Sequence, residues 1–203
     1  MPHRRPLALT LSPTIDEVMQ SEIEKRAERV LEDVPDWIWN GRTLPVPVED
    51  IADTCFGLHV REVEDLRTAP GVPVIEDSKG LSGLLLPSLG EIWVNAGEAR
   101  EWPGRRRFTI SHELGHWCLH RTSGAVWCRK HAVDPPEGAP KPAGGRPRAE
   151  AEADEFAAAL LMPAALIRRH YERLRRDDDC FQQLCTAFGA SGSAMGRRLH
   201  RVI

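Results

Sequence analysis

Residues 107–120 read Arg107-Phe108-Thr109-Ile110-Ser111-His112-Glu113-Leu114-Gly115-His116-Trp117-Cys118-Leu119-His120. The run contains no proline and carries a helical pattern from about Arg105, so His112 and His116 stand one turn apart on one face with Glu113 beside them. Two imidazoles at that spacing can share one metal ion, and the neighbouring carboxylate can take a proton from whatever the ion activates. The pattern predicts a zinc-dependent hydrolase in which Glu113 acts as catalytic acid and base. Gly115 costs this helix about 1 kcal/mol relative to alanine, which predicts a close approach by another backbone element at that point.

A catalytic zinc takes three protein ligands and keeps a fourth position for water, so the two histidines need a partner. Working outward, the next helical pattern is Arg148–Leu161, where Ala153, Phe156, Ala157, Leu160 and Leu161 form an apolar stripe. Glu150 and Asp154 share a face beside that stripe at i,i+4 spacing. Glu150 is assigned as the third ligand, and Asp154 as the acceptor that orients a ligand histidine, His112, through its other ring nitrogen. Glu152 and Glu155 point elsewhere on the wheel and are weaker candidates; the bland alternative for the whole acidic run is a solvated helix face. His120, one turn beyond His116, is rotated too far to ligate jointly and is read as a packing or orienting residue. Cys118, Cys128 and His131 suggest a structural zinc site only weakly, because no close Cys-x-x-Cys pair exists. For an oxyanion donor, Tyr171, which is the only tyrosine, and His170 are candidates because they follow the carboxylate helix.

Farther out, Thr14 and Glu17 form a capping box ahead of Ile15, Val18, Met19, Ile23, Ala27, Val30 and Leu31, which recur at helical spacing. A loop from Pro35 to Pro47 and a short helix ending at Gly57 follow. Strand patterns cover Leu58–Val63, Leu81–Leu86 and Glu91–Val94, separated by turn-formers at Ala69–Gly71 and Ser88–Gly90. Hairpin connections predict a small, partly antiparallel sheet, and Glu91–Val94 is a candidate edge strand for pairing with an extended substrate. Residues 134–147 hold five prolines and three glycines in fourteen positions, too many breakers for regular structure. Past Met162-Pro163 the helical pattern runs to about Arg176, and two short helices follow around Phe181–Phe188 and Ser193–Val202. The expected organisation is a mobile tail at 1–13, a catalytic core at 14–163 containing the 134–147 loop, and a helical C-terminal subdomain at 164–203 packed on it. The fold class is α+β.

At 203 residues and 41% hydrophobic composition the chain can bury one core. The basic start lacks a following apolar region and no run is long enough to span a bilayer, so a cytoplasmic protein without a membrane partner is expected. Five cysteines at irregular spacing argue against a disulfide framework. A net charge of −3 gives no global pull toward nucleic acid.

Residues 107–116, Leu119-His120, Glu150-x-Glu152-Ala153-Asp154-x-Phe156-Ala157 and Leu160-Leu161-Met162-Pro163 together resemble the ImmA/IrrE family of metallo-endopeptidases. The Leu44-Pro45-Val46 region, Ser82-Gly83 and Ile92-Trp93-Val94-Asn95 extend the resemblance over most of residues 15–200. It implies a zincin-like fold with Zn2+ held by His112, His116 and Glu150, with Glu113 as acid and base. The implied substrate is a cytoplasmic helix-turn-helix repressor, cut in stress response or mobile-element induction. Two departures stand out: the long 134–147 connection, which prevents transfer of substrate identity, and the first 60 residues, which leave no room for the N-terminal helix-turn-helix many members carry. A rival reading takes Phe181–Ser191 leading into Ser193–Arg201 as a DNA-binding helix-turn-helix, with eight arginines between residues 164 and 203 available to phosphates. Gly192 and Gly196 weaken its second helix, so direct nucleic-acid binding is not the expected role. A third reading keeps the zinc in a sensor or docking module without proteolysis.

Overall fold

The computed structural model describes residues 15–70, 81–120, 127–130 and 148–203. The 1–13 tail, Thr14, His131 and the 134–147 loop lie outside the described residues. The first helix, α1 (Ile15–Glu32), buries Ile23, Ala27, Val30 and Leu31, positions that recur at helical spacing. Next, α2 (Val48–Phe56) buries Val48, Ile51 and Ala52 and stops at Gly57. There a φ of 63° turns the chain so that the Gly57 N–H reaches the Asp53 carbonyl and the Leu58 N–H reaches the Ala52 carbonyl.

Four strands follow: β1 (His59–Val63), β2 (Leu81–Leu86), β3 (Glu91–Asn95) and β4 (Trp127–Lys130). They form one sheet in the order β1-β3-β2-β4. The β2–β3 pair is the hairpin that Ser88–Gly90 implied, with Gly90 at a φ of 64°. β4 joins β2 antiparallel, whereas β1 runs parallel to β3, so the sheet is mixed. This order overturns the expectation that Glu91–Val94 is an edge. Ile92 is paired with Val60 on one side and Leu85 on the other, so β3 is committed to neighbours on both flanks.

All six residues of β2 are buried, because both of its faces are covered. Leu85, Ile92 and Val94 face the main apolar cluster beneath the helices, while Leu81, Leu84, Leu86 and Trp93 pack with Leu66 and Ala69 on the other side. Leu81 and Leu84 fall in the same cluster despite odd spacing because the pairing with β4 shifts by one residue between Leu81 and Gly83.

After β3 the chain turns into α3 (Ala96–Glu101) and then α4 (Pro103–His120). α3 escaped the sequence reading because Ala96-Gly97-Glu98 lacks apolar periodicity. Its signal was the cap: Asn95 Oδ1 accepts the Glu98 N–H at 3.0 Å. α5 (Arg148–Leu161) lies against both α4 and α1. α6 (Ala164–Leu174), α7 (Cys180–Phe188) and α8 (Gly192–Val202) add Ile167, Leu184, Phe188 and Met195 to the same cluster.

α8 is tied to the rest by arginines. Arg198, only 5% exposed, donates from Nε to the Met162 carbonyl at 2.8 Å and pairs with Glu24 of α1. Arg201 pairs with Glu155 of α5, and Arg168 donates to the Val202 carbonyl. A buried guanidinium is tolerated because its donors find partners in the directions its planar fork presents.

Candidate metal centre

α4 opens on Pro103, whose fixed φ suits the first helical position and whose missing N–H costs nothing there. From Thr109 to His116 every residue is buried, because the helix passes between the sheet and α5. Two glycines permit that fit. A side-chain carbon on Gly83 of β2 would overlap Thr109 Cγ2 and stand 3.3 Å from Glu113 Oε1, so the strand lies directly over Glu113. A side-chain carbon on Gly115 would stand 3.1 Å from the Ala153 carbonyl oxygen and 3.2 Å from Ala153 Cα, so α5 is the backbone element that the glycine implied.

Gly115→Ala should therefore destabilise the protein although alanine favours a helix by about 1 kcal/mol. Crowding against main-chain atoms that cannot rotate away costs roughly 1–3 kcal/mol. A net loss of about 1 kcal/mol corresponds to a melting temperature lower by about 2–4 °C for a chain of this size. A rise in melting temperature would show that α5 moves aside freely.

The contact between α4 and α5 brings together His112, His116 and Glu150, whose ligand-type atoms all lie within 4.8 Å of one another. The two Nε2 atoms are 3.0 Å apart, and Glu150 Oε2 and Oε1 lie 3.3 and 3.1 Å from them. Both imidazoles are fully buried. Behind His112, Nδ1 meets Asp154 Oδ1 at 2.8 Å. Behind His116, Nδ1 meets His120 Nδ1 at 3.2 Å. With their Nδ1 atoms engaged, the rings turn Nε2 toward a common point beside a carboxylate. Such a donor set fits a divalent cation of borderline softness.

The electrostatics agree with that fit. Burial pushes the His116 imidazole below its usual range and outweighs the opposite pull of Glu150, so the ring is neutral near pH 7 with a lone pair to offer. Burial works to raise Glu150, but hydrogen bonds to His112 and His116 prevail and hold it well below the usual carboxylate range. Glu152 is likewise held low: burial opposes, and His120 and Arg148 prevail.

Of the residues singled out from sequence, α4 and α5 thus place His112, His116, Glu150 and Asp154 together, with Glu113 buried on the adjoining side under Gly83. His170 and Tyr171 are not brought to this cluster. They lie on α6, whose main contacts are with α7 and α8. His170 stands edge-on to Phe188, 5.6 Å between ring centres, and Tyr171 packs at the margin of the apolar cluster. Among the described residues Cys55, Cys180 and Cys185 are free thiols, and the Cys128 side chain and His131 lie outside them. The helix-turn-helix geometry of α7 and α8 around Gly189 is present, yet Arg198 and Arg201 are occupied by Glu24 and Glu155. Sequence reading missed that Glu152 joins His120, at 2.9 Å. The available signal was His120 itself, which repeats the four-residue spacing of His112 and His116.

A family model described as the IrrE N-terminal-like domain matches residues 71–200. Among solved structures, a chain described as a Mycobacterium tuberculosis transcriptional regulator is similar, with a TM-score of 0.51 and 19% identity. The likeness covers 92% of this chain and 52% of that one, so this chain spans about half the regulator's length. At that identity the likeness is one of fold. No curated protein matches the chain. No described helix is long and apolar enough to cross a membrane.

Proposed function

The chain belongs to the IrrE N-terminal-like family of metallopeptidases, and on that premise we propose that it is a zinc endopeptidase that cuts a cytoplasmic helix-turn-helix repressor. The observation that carries the reading is the convergence of two buried imidazoles and one carboxylate, backed by Asp154 and His120, where α4 meets α5. His112, His116 and Glu150 would hold the ion. When bound, zinc brings the pKa of a water to about 7 and polarises a carbonyl.

The chain's own groups supply the rest. Glu113, whose carboxylate lies on the adjoining side of α4, would take the water's proton and pass it to the departing amine. Asp154 would accept the Nδ1 proton of His112, keeping Nε2 bare and aimed. The choice of a repressor as substrate, and its cleavage in stress response or mobile-element regulation, rest on the ImmA/IrrE resemblance.

The test is incubation of zinc-loaded protein with helix-turn-helix repressors encoded beside its gene, read by intact-mass spectrometry. Two fragments whose masses account for one cut, abolished by chelation and restored by zinc, are expected. Stable association without any cut would replace the peptidase with a docking module.

A further inference from the structure

Resting on the peptidase reading just given, we propose that Gly83 is a positioning residue for Glu113: its missing side chain brings strand β2 close enough to wall in the carboxylate that takes the proton. Thr109 and Glu113 stand one turn apart on the face of α4 turned to the sheet, and Gly83 lies against both. Two residues on, Leu85 packs on the same side of the sheet, among the helices, while Leu84 belongs to the cluster on the opposite side. Among the six residues of β2, Leu81-Ser82-Gly83-Leu84-Leu85-Leu86, the one without a side chain is thus the one that faces the carboxylate.

Three groups crowd the place where a side-chain carbon would stand. It would overlap Thr109 Cγ2, and lie 3.1 Å from the Trp93 carbonyl oxygen and 3.3 Å from Glu113 Oε1. These neighbours differ in how they yield. The Trp93 carbonyl is main chain in β3, which is paired on both flanks. Thr109 is buried and β-branched, with few rotamers open to it on a helix. Glu113 is unbranched, so its carboxylate is the group that swings aside. A methyl at position 83 therefore displaces the base, and its absence keeps the base within hydrogen-bond reach of the proton it takes. None of the three crowded groups is one that would hold the ion, so the effect falls on Glu113 and spares the metal.

On the repressor cut in the test above, Gly83→Ala should lower kcat about 10-fold or more with KM unchanged, as expected when only an interaction of the transition state is disturbed. The melting temperature should fall by about 5 °C, the scale of one overpacked carbon in a chain of this size, and zinc content should stay that of wild type. Two further variants separate aim from packing. Thr109→Ser removes the overlapping methyl; in that background Gly83→Ala should cost little melting temperature and still lower kcat, because Glu113 remains crowded. Leu84→Ala, on the far side of the sheet, should lower the melting temperature at least as far as Gly83→Ala and leave kcat unchanged when assayed below its transition. Recovery of kcat in the double variant, an equal kcat loss in Leu84→Ala, or a double variant that does not fold overturns the proposal. Wild-type protein that cuts nothing overturns the peptidase reading instead, and the contact is then read from stability alone. In metal-free protein the melting-temperature loss from Gly83→Ala should shrink in a Glu113→Ala background; equal losses in the two backgrounds mean that strand and carboxylate do not press on one another, and overturn the proposal.

Discussion

Glu113→Gln should retain a full equivalent of zinc and cleave its substrate about 10²- to 10⁴-fold more slowly than wild type, the usual contribution of a positioned general base. Glutamine matches glutamate in size, so it fits the space beneath Gly83 that a larger or branched residue would not. What it loses is the ability to accept a proton. Glu113 is not among the three residues whose atoms converge, so its amide leaves the ion's ligands in place. Metal content by atomic emission and fragment formation by mass spectrometry separate the two effects. Equal cleavage rates would remove Glu113 from the mechanism; loss of zinc would make it part of the ion's hold.

Glu150→Ala should lower zinc affinity by more than the roughly 10- to 100-fold that loss of an outer partner costs, and activity should fall with it. Two imidazoles alone leave the ion without the charge of a carboxylate and with one ligand fewer than a catalytic zinc requires. Neither nearby acid is placed to substitute. Asp154 meets His112 at Nδ1, on the far side of the ring from the convergence. Glu152 is engaged by His120 and Arg148. Retention of wild-type affinity in the alanine variant would transfer the third ligand to one of those two. His112→Ala, run alongside, sets the scale for a lost ligand.

The two helices that make this site were legible because their signals are local. His112 and His116, and Glu150 and Asp154, each repeat at four residues, and four residues is one turn whatever else the chain does. The apolar stripe of α5 and the Gly57 stop of α2 are equally short-range. What stayed hidden depends on partners distant in sequence. β3 reads as an alternating strand with nothing to reveal that β1 pairs with it in parallel across thirty-odd residues. β4, Trp127-Cys128-Arg129-Lys130, is short and half basic, as suits an edge, and only its register with β2 makes it a strand. Glu152 was set aside because its position on the helical wheel differs from that of Glu150. The crossing of α4 over α5 brings His120 within its reach, and a wheel contains no information about crossings.

Where Gly115 passes Ala153 the two helices meet main chain to main chain, which makes the gap between imidazoles and carboxylate a property of the scaffold and not of rotamers. A spacing set by main chain should outlast removal of the ion, so a chain stripped by a chelator should reload without passing through an unfolded state.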